Sequence, residues 1–270
     1  MPLDVNDLTG FYSTPLGDVA LRFIDRALRL RWPQCAGLSM MGLGYAGPFL
    51  DSYRGEATRT LVFMPAQQGV VNWPAEGRSS SALVDTGMLP LPDASIDRIL
   101  VIHALETAED PNALLEECWR VLNPGGRALF VVPSRRGVWA RVDGTPFGFG
   151  RPYSKGQLRE LLRESLFTPI FWGEALHTPP LRRRIFLNWS QAMERIGAFL
   201  GLPFAGVYIV EATKQLYRPV GVRRVARRDA PLLHPALAPS AHRNRLSRER
   251  LAPPADHALL PGQKRQSEVF

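Results

Sequence analysis

The sequence predicts an α/β protein built on a doubly wound, mostly parallel sheet with helices on both faces. Two observations carry that expectation. Several short segments are apolar almost throughout instead of alternating, as strands buried on both faces must be. Helical or loop segments separate them, which is the rhythm of a parallel sheet. A third observation sets the limits: 45% of the 270 residues are hydrophobic and 21% charged, ordinary values for a chain with one sizeable core.

Taken in order, residues 16–30 place Val19, Phe23, Ala27 and Leu30 on one helical face with Arg and Asp opposite. GLSMMGLG follows, a short apolar strand ending in glycine. TLVFM (60–64), SALVD (81–85) and IDRILVIHAL (96–105) read as the second, third and fourth strands. Asp110-Pro111 opens a helix, with proline at its first turn. The helix runs through NALLEECWRVL to NPGG, a stop with glycines beyond its end. RALFVVP (127–133) is the fifth strand. SKGQLRELLRESL (154–166) is a capped amphipathic helix, and RRRIFLNWSQAMERIGAFL (182–200) a longer one. GVYIVEATKQLY (206–217) reads as a last strand near a sheet edge.

From Arg218 the character changes. Eleven Lys/Arg face four acids there, whereas 22 bases face 21 acids in residues 1–217. The formal charge of +8 therefore belongs to a Pro/Arg-rich tail, read as disordered, and the body (1–217) is one nearly neutral domain. Such a tail suits phosphates or anionic lipid headgroups, or simply solubility. No apolar stretch reaches the ~18 residues of a membrane span, and MPLDVNDLTG lacks a secretory pattern, so a cytoplasmic protein is expected. Cys35 and Cys118 suggest neither a disulfide framework nor a metal site.

Gly42, Gly44 and Gly47 satisfy G-x-G-x-x-G after a strand, a weak signal alone. A nicotinamide site also wants an acid closing the second strand. That strand ends Phe63-Met64-Pro65, which removes the main support for a dinucleotide. A tight turn holding no ligand is the plain alternative.

Residues 83–133 choose between cofactors. Asp85 after the third strand, LPLPDASID before the fourth, HALE…DP after it and WRVLNPGG before the fifth together resemble the type 11 class of S-adenosylmethionine-dependent methyltransferases. The resemblance is specific over about residues 35–135. It implies the class I Rossmann-like sheet of seven strands with the last antiparallel, S-adenosylmethionine as cofactor, and a site at the strands' carboxyl ends. By position, Gly42, Leu43 and Gly44 would line the methionine and ribose end of the cofactor. Met64 would stand beside the ribose, Asp85 and Thr86 beside the adenine, and Ile102 and His103 at the tip of the fourth strand facing cofactor and acceptor.

The departures are Met40 and Met64 where the family usually has acids, Ala46 for a third glycine, and Thr107 where histidine is common. Gln67 or Gln68 offers a neutral substitute at the ribose. His103, with Glu106 one turn on, is the candidate general base for a hydroxyl or protonated amine; capping the fourth strand is its structural alternative. Capping its own loop is the lesser, structural alternative for Asp85, and Asp97 reads as a turn residue. The body has neither the Asn-Pro-Pro-aromatic nor the Pro-Cys signature of nucleic-acid methylation. The expected activity is methyl transfer to a small molecule or other non-nucleic acceptor. The alternative is a degenerate methyltransferase fold kept for binding or regulation. Phe147, Phe149 and Tyr153 in DGTPFGFGRPY (143–153) are placed either to meet an apolar acceptor or to pack that loop. In the helix at 182–200, Trp189 and Phe199 suit a membrane surface or, more simply, the core.

Overall fold

In the computed structural model, residues 3–142, 144–180 and 205–216 are described. The expected helix at 182–200 and the tail from 218 lie outside them.

Two helices come first, α1 (Val5–Tyr12) and α2 (Pro15–Arg31). Asp4 caps α1 by accepting from Asn6 N–H, and Thr14 caps α2 by accepting from Gly17 N–H, each satisfying a donor the helix itself leaves unpaired. Strand β1 (Ser39–Gly44) turns through α3 (Gly47–Leu50) into β2 (Arg59–Pro65). Next come β3 (Ser81–Val84), β4 (Ile96–Ile102), α4 (Pro111–Val121) and β5 (Leu122–Pro133). After α5 (Lys155–Glu164), strands β6 (Phe167–Ala175) and β7 (Val207–Lys214) complete the sheet.

The seven strands lie in the order β3-β2-β1-β4-β5-β7-β6. Pairing is parallel from β3 through β5, while β7 runs antiparallel to both β5 and β6. The sheet is therefore mixed, with the antiparallel last strand that the resemblance implied. Strand β7 sits one place in from the edge because β6 covers it.

Alternate residues of the central strands enter opposite cores. Met40, Val62, Met64, Leu100, Ile102, Leu129 and Ile209 join the side chains of α1, α2 and α3. Met41, Leu43, Phe63, Val101, Phe130 and Val210 join those of α4 and α5. Each such side chain, fully buried, contributes about 1.5–3 kcal/mol, which is why apolar runs so plainly mark these strands. Met40 is wholly buried in the first of these cores. A carboxylate there would have to be dehydrated.

Asp110 caps α4 by accepting from Asn112 and Ala113 N–H, and Ser154 with Gln157 forms a capping box on α5. Asp97 is no turn residue. It lies in β4, where one carboxylate oxygen accepts from Ser39 N–H and the other from Asn123 Nδ2, so it fastens β1 and β5 to the central strand.

Candidate functional site

The carboxyl ends of β1, β2 and β4 meet under α1. Gly42, Leu43 and Gly44 end β1; Met64 lies at the end of β2; Ile102 ends β4, with His103 next. Asp85 and Thr86 follow β3 directly. The strand order thus sets all of these positions along one edge of the sheet. It does not make them one cluster: Leu43 packs in the α4–α5 core and Met64 and Ile102 in the other, while Asp85 is exposed.

Gly44 has φ +86°, and a Cβ there would lie 2.1 Å from Ile102 O. The chain's own turn against β4 requires this glycine. Gly42 is confined in the same way, since a Cβ would stand 2.5 Å from that of Ala46. Met64 Sδ accepts from Val71 N–H at 3.4 Å, so the loop after β2 folds back over the position of the missing ribose acid. Asp85 Oδ1 accepts from Gly87 N–H at 2.8 Å, a loop-capping bond that leaves Oδ2 for another donor.

His103 organises the centre. Its φ is +55°, uncommon for a side chain of this size, and the turn sends the imidazole beneath α1. Nε2 lies 2.7 Å from Tyr12 Oη and Nδ1 3.2 Å from Glu106 Oε1. A carboxylate accepts only, so Nδ1 donates to Glu106; in the neutral imidazole of that tautomer Nε2 accepts from the phenol. All three side chains are buried. Burial, with Tyr45 and Glu106 nearby, holds the Tyr12 hydroxyl well above its usual pKa, and the phenol stays neutral. Phe147 closes the far side of the imidazole at 5.0 Å between ring centres.

Gln68 spans the same region. Its Nε2 donates to His103 O at 2.8 Å, and its own main-chain oxygen accepts from Val5 N–H. Since β1 lies between β2 and β4, this side chain passes over the carboxyl end of β1. Tyr12 adds a second cover, its ring stacked on Tyr45 at 5.4 Å.

Tyr12 and the reach of Gln68 escape a reading along the chain, being 91 and 35 positions from His103. A signal for α1 did exist: Asp4 as a cap, followed by Val5, Leu8, Phe11 and Tyr12 at helical spacing. Of the aromatic residues in 143–153, Phe147 is core, Tyr153 donates to Leu105 O, and Phe149 lines a cavity of about 210 Å³ together with Gln68 and Glu106. Among the described residues no group of metal-ligating side chains occurs, and no helix is long and apolar enough to cross a membrane.

A family model described as "Methyltransferase domain" matches residues 65–130, from the end of β2 into β5. A probable S-adenosylmethionine-dependent methyltransferase of Mycolicibacterium smegmatis is 29% identical over 107 residues. That match covers 38% of this chain and 40% of the relative, so the chain spans about two fifths of its length. Among solved structures, one from Thermotoga maritima described as an S-adenosylmethionine-dependent methyltransferase, possible histamine N-methyltransferase, superposes with a TM-score of 0.54 at 16% identity. It covers 78% of this chain and 96% of its own. The [4+2]-cyclase SpnF superposes at 0.52 with 19% identity, over 72% and 80%. These two likenesses concern the fold, and a fold hosts more than one chemistry.

The residues present fit S-adenosylmethionine in kind. Asp85 has one carboxylate oxygen beyond the one that Gly87 N–H occupies, and Gly44 ends β1 without a side chain.

Proposed function

We propose that this chain, whose residues 65–130 match a methyltransferase-domain model, transfers a methyl group from S-adenosylmethionine to a small molecule or other non-nucleic acceptor. The observation that carries this reading is that the matched segment runs from the end of β2 through β3 and β4 into β5, with a buried Tyr12–His103–Glu106 chain at the carboxyl end of β4. S-adenosylmethionine supplies an electrophilic methyl carbon when bound. Asp85 and the main chain at Gly44 would hold it, with Thr86 and Ile102 beside it. His103 is the proton store. An acceptor hydroxyl or ammonium would give its proton to Tyr12 Oη as the phenol passes its own to His103 Nε2, and Glu106 would balance the imidazolium through Nδ1. The base thus acts through Tyr12, because both imidazole nitrogens are engaged.

A second reading, a binding or regulatory protein on a degenerate fold, draws on Met64 capped by Val71 and on Gln68 lying over β1. Calorimetric titration with S-adenosylmethionine and S-adenosylhomocysteine, with NAD as control, separates the two. Micromolar binding of the first two supports the enzyme. No binding at millimolar concentration by a folded sample overturns it in favour of the second reading.

A further inference from the structure

His103 consumes one polar group from each of two neighbours and leaves each with one unused. Its main-chain oxygen takes the amide N–H of Gln68, so Gln68 Oε1 is left as an acceptor. Its Nδ1 takes Glu106 Oε1, so Glu106 Oε2 is left as an acceptor. Both remaining oxygens are buried and have no hydrogen-bond partner, a costly condition for a carboxylate oxygen above all. The amide orientation of Gln68 is fixed by the bond itself, because a carbonyl oxygen can only accept.

Both residues line the cavity of about 210 Å³ at the ends of β2 and β4. Its other walls include Leu3, Pro65 and Phe149, which are apolar, and Arg151. Arg151 and Glu109, both exposed, bring opposite charges to the rim, whereas Glu106 is 1% exposed; the buried charge of the lining is therefore anionic. A ligand must bring donors to two acceptors, preferably with positive charge, on a body that suits Leu3 and Phe149. At ~30 Å³ per water in the liquid, the volume corresponds to roughly seven waters, and so to a small molecule.

We propose that this cavity binds a protonated primary amine on a short apolar body, its ammonium donating to Glu106 Oε2 and Gln68 Oε1. The site is inferred as a binding site and stands apart from the proton relay, since Glu106 lies on the Nδ1 side of His103 and Tyr12 on the Nε2 side.

The test uses the full chain, with hexylamine, 1-hexanol and hexanoate as probes matched in length, titrated with and without saturating S-adenosylhomocysteine. Hexylamine should bind at least about tenfold more tightly than hexanol, in line with a charge-assisted hydrogen bond, and hexanoate more weakly than either. Glu106→Gln should remove the preference for the amine while S-adenosylhomocysteine affinity stays within about twofold. Gln68→Met, which deletes the second acceptor at similar volume, should weaken hexylamine binding if Glu106→Gln proves unfolded by circular dichroism. Equal binding of hexylamine and hexanol, no binding of either, or a preference that survives both substitutions overturns the proposal. Direct competition between hexylamine and S-adenosylhomocysteine also overturns it, since the cavity then belongs to the cofactor. Failure of S-adenosylhomocysteine to bind, with the amine preference intact, would instead remove the methyl-transfer reading and leave the amine site standing.

Discussion

Gln68 Nε2 and the main-chain oxygen of His103 are joined at 2.8 Å over the carboxyl end of the strand that lies between them. A ligand seated on Gly44 must meet this amide. The bond is neutral and its net worth is about 0.5–1.5 kcal/mol. Gln68→Ala should therefore tighten S-adenosylhomocysteine binding by up to roughly tenfold, measured by calorimetry. Weaker binding in this variant would mean that Gln68 holds the cofactor and does not cover its place.

Tyr12→Phe keeps the ring stacked on Tyr45 and removes only the hydroxyl next to His103 Nε2. If the phenol relays the acceptor's proton, turnover should fall by about 10²–10⁴, the usual range for general acid–base catalysis, with cofactor affinity unchanged. A rate within twofold of the parent would show that Tyr12 only packs.

Asp85 keeps one carboxylate oxygen that Gly87 does not use, the one that the proposed adenine contact requires. Asp85→Ala should weaken S-adenosylhomocysteine binding about tenfold to a hundredfold, the span for a hydrogen bond to a charged group. Unchanged affinity would reduce Asp85 to its loop-capping bond.

Gly44→Ala tests the fold and not the ligand. The added Cβ would fall 2.1 Å from Ile102 O at a φ of +86°. Loss of about 1–3 kcal/mol from the backbone alone is expected, with the overlap adding to it, so thermal melting should drop steeply whether or not cofactor is present.

Acid should weaken the fold through Glu117. Arg120 and the Leu89 N–H hold its carboxyl below the usual range. A depressed folded pKa contributes stability that is present above the unfolded value, 4.5, and is lost as pH falls through the folded one. Glu117→Gln should flatten that part of the stability profile in urea melts between pH 6 and about 3; an unaltered slope would place the acid sensitivity elsewhere.

The parallel half of the sheet was legible because β1, β2, β4 and β5 are buried on both faces, and such strands must read as apolar runs. Strand β6 escaped notice: Pro169 interrupts it and Ile170 and Phe171 are exposed at the sheet edge, so neither periodicity nor a pure apolar run marks it. Of the candidate residues, Gly44 ends β1 while Asp85 and His103 directly follow β3 and β4, so a reading along the chain could place them. What the imidazole touches was hidden. Tyr12 reaches the ring, and Gln68 the main-chain oxygen of His103, from elements that adjoin β4 only after the sheet has formed.

Because Leu3 is 3% exposed and Val5 to Tyr12 rest on Gln68 and His103 at the carboxyl ends of β2 and β4, α1 forms one wall of the candidate site. Removing α1 would strip the phenol from His103 Nε2 and the Val5 N–H from Gln68 O, so the wall and the groups it covers stand or fall together.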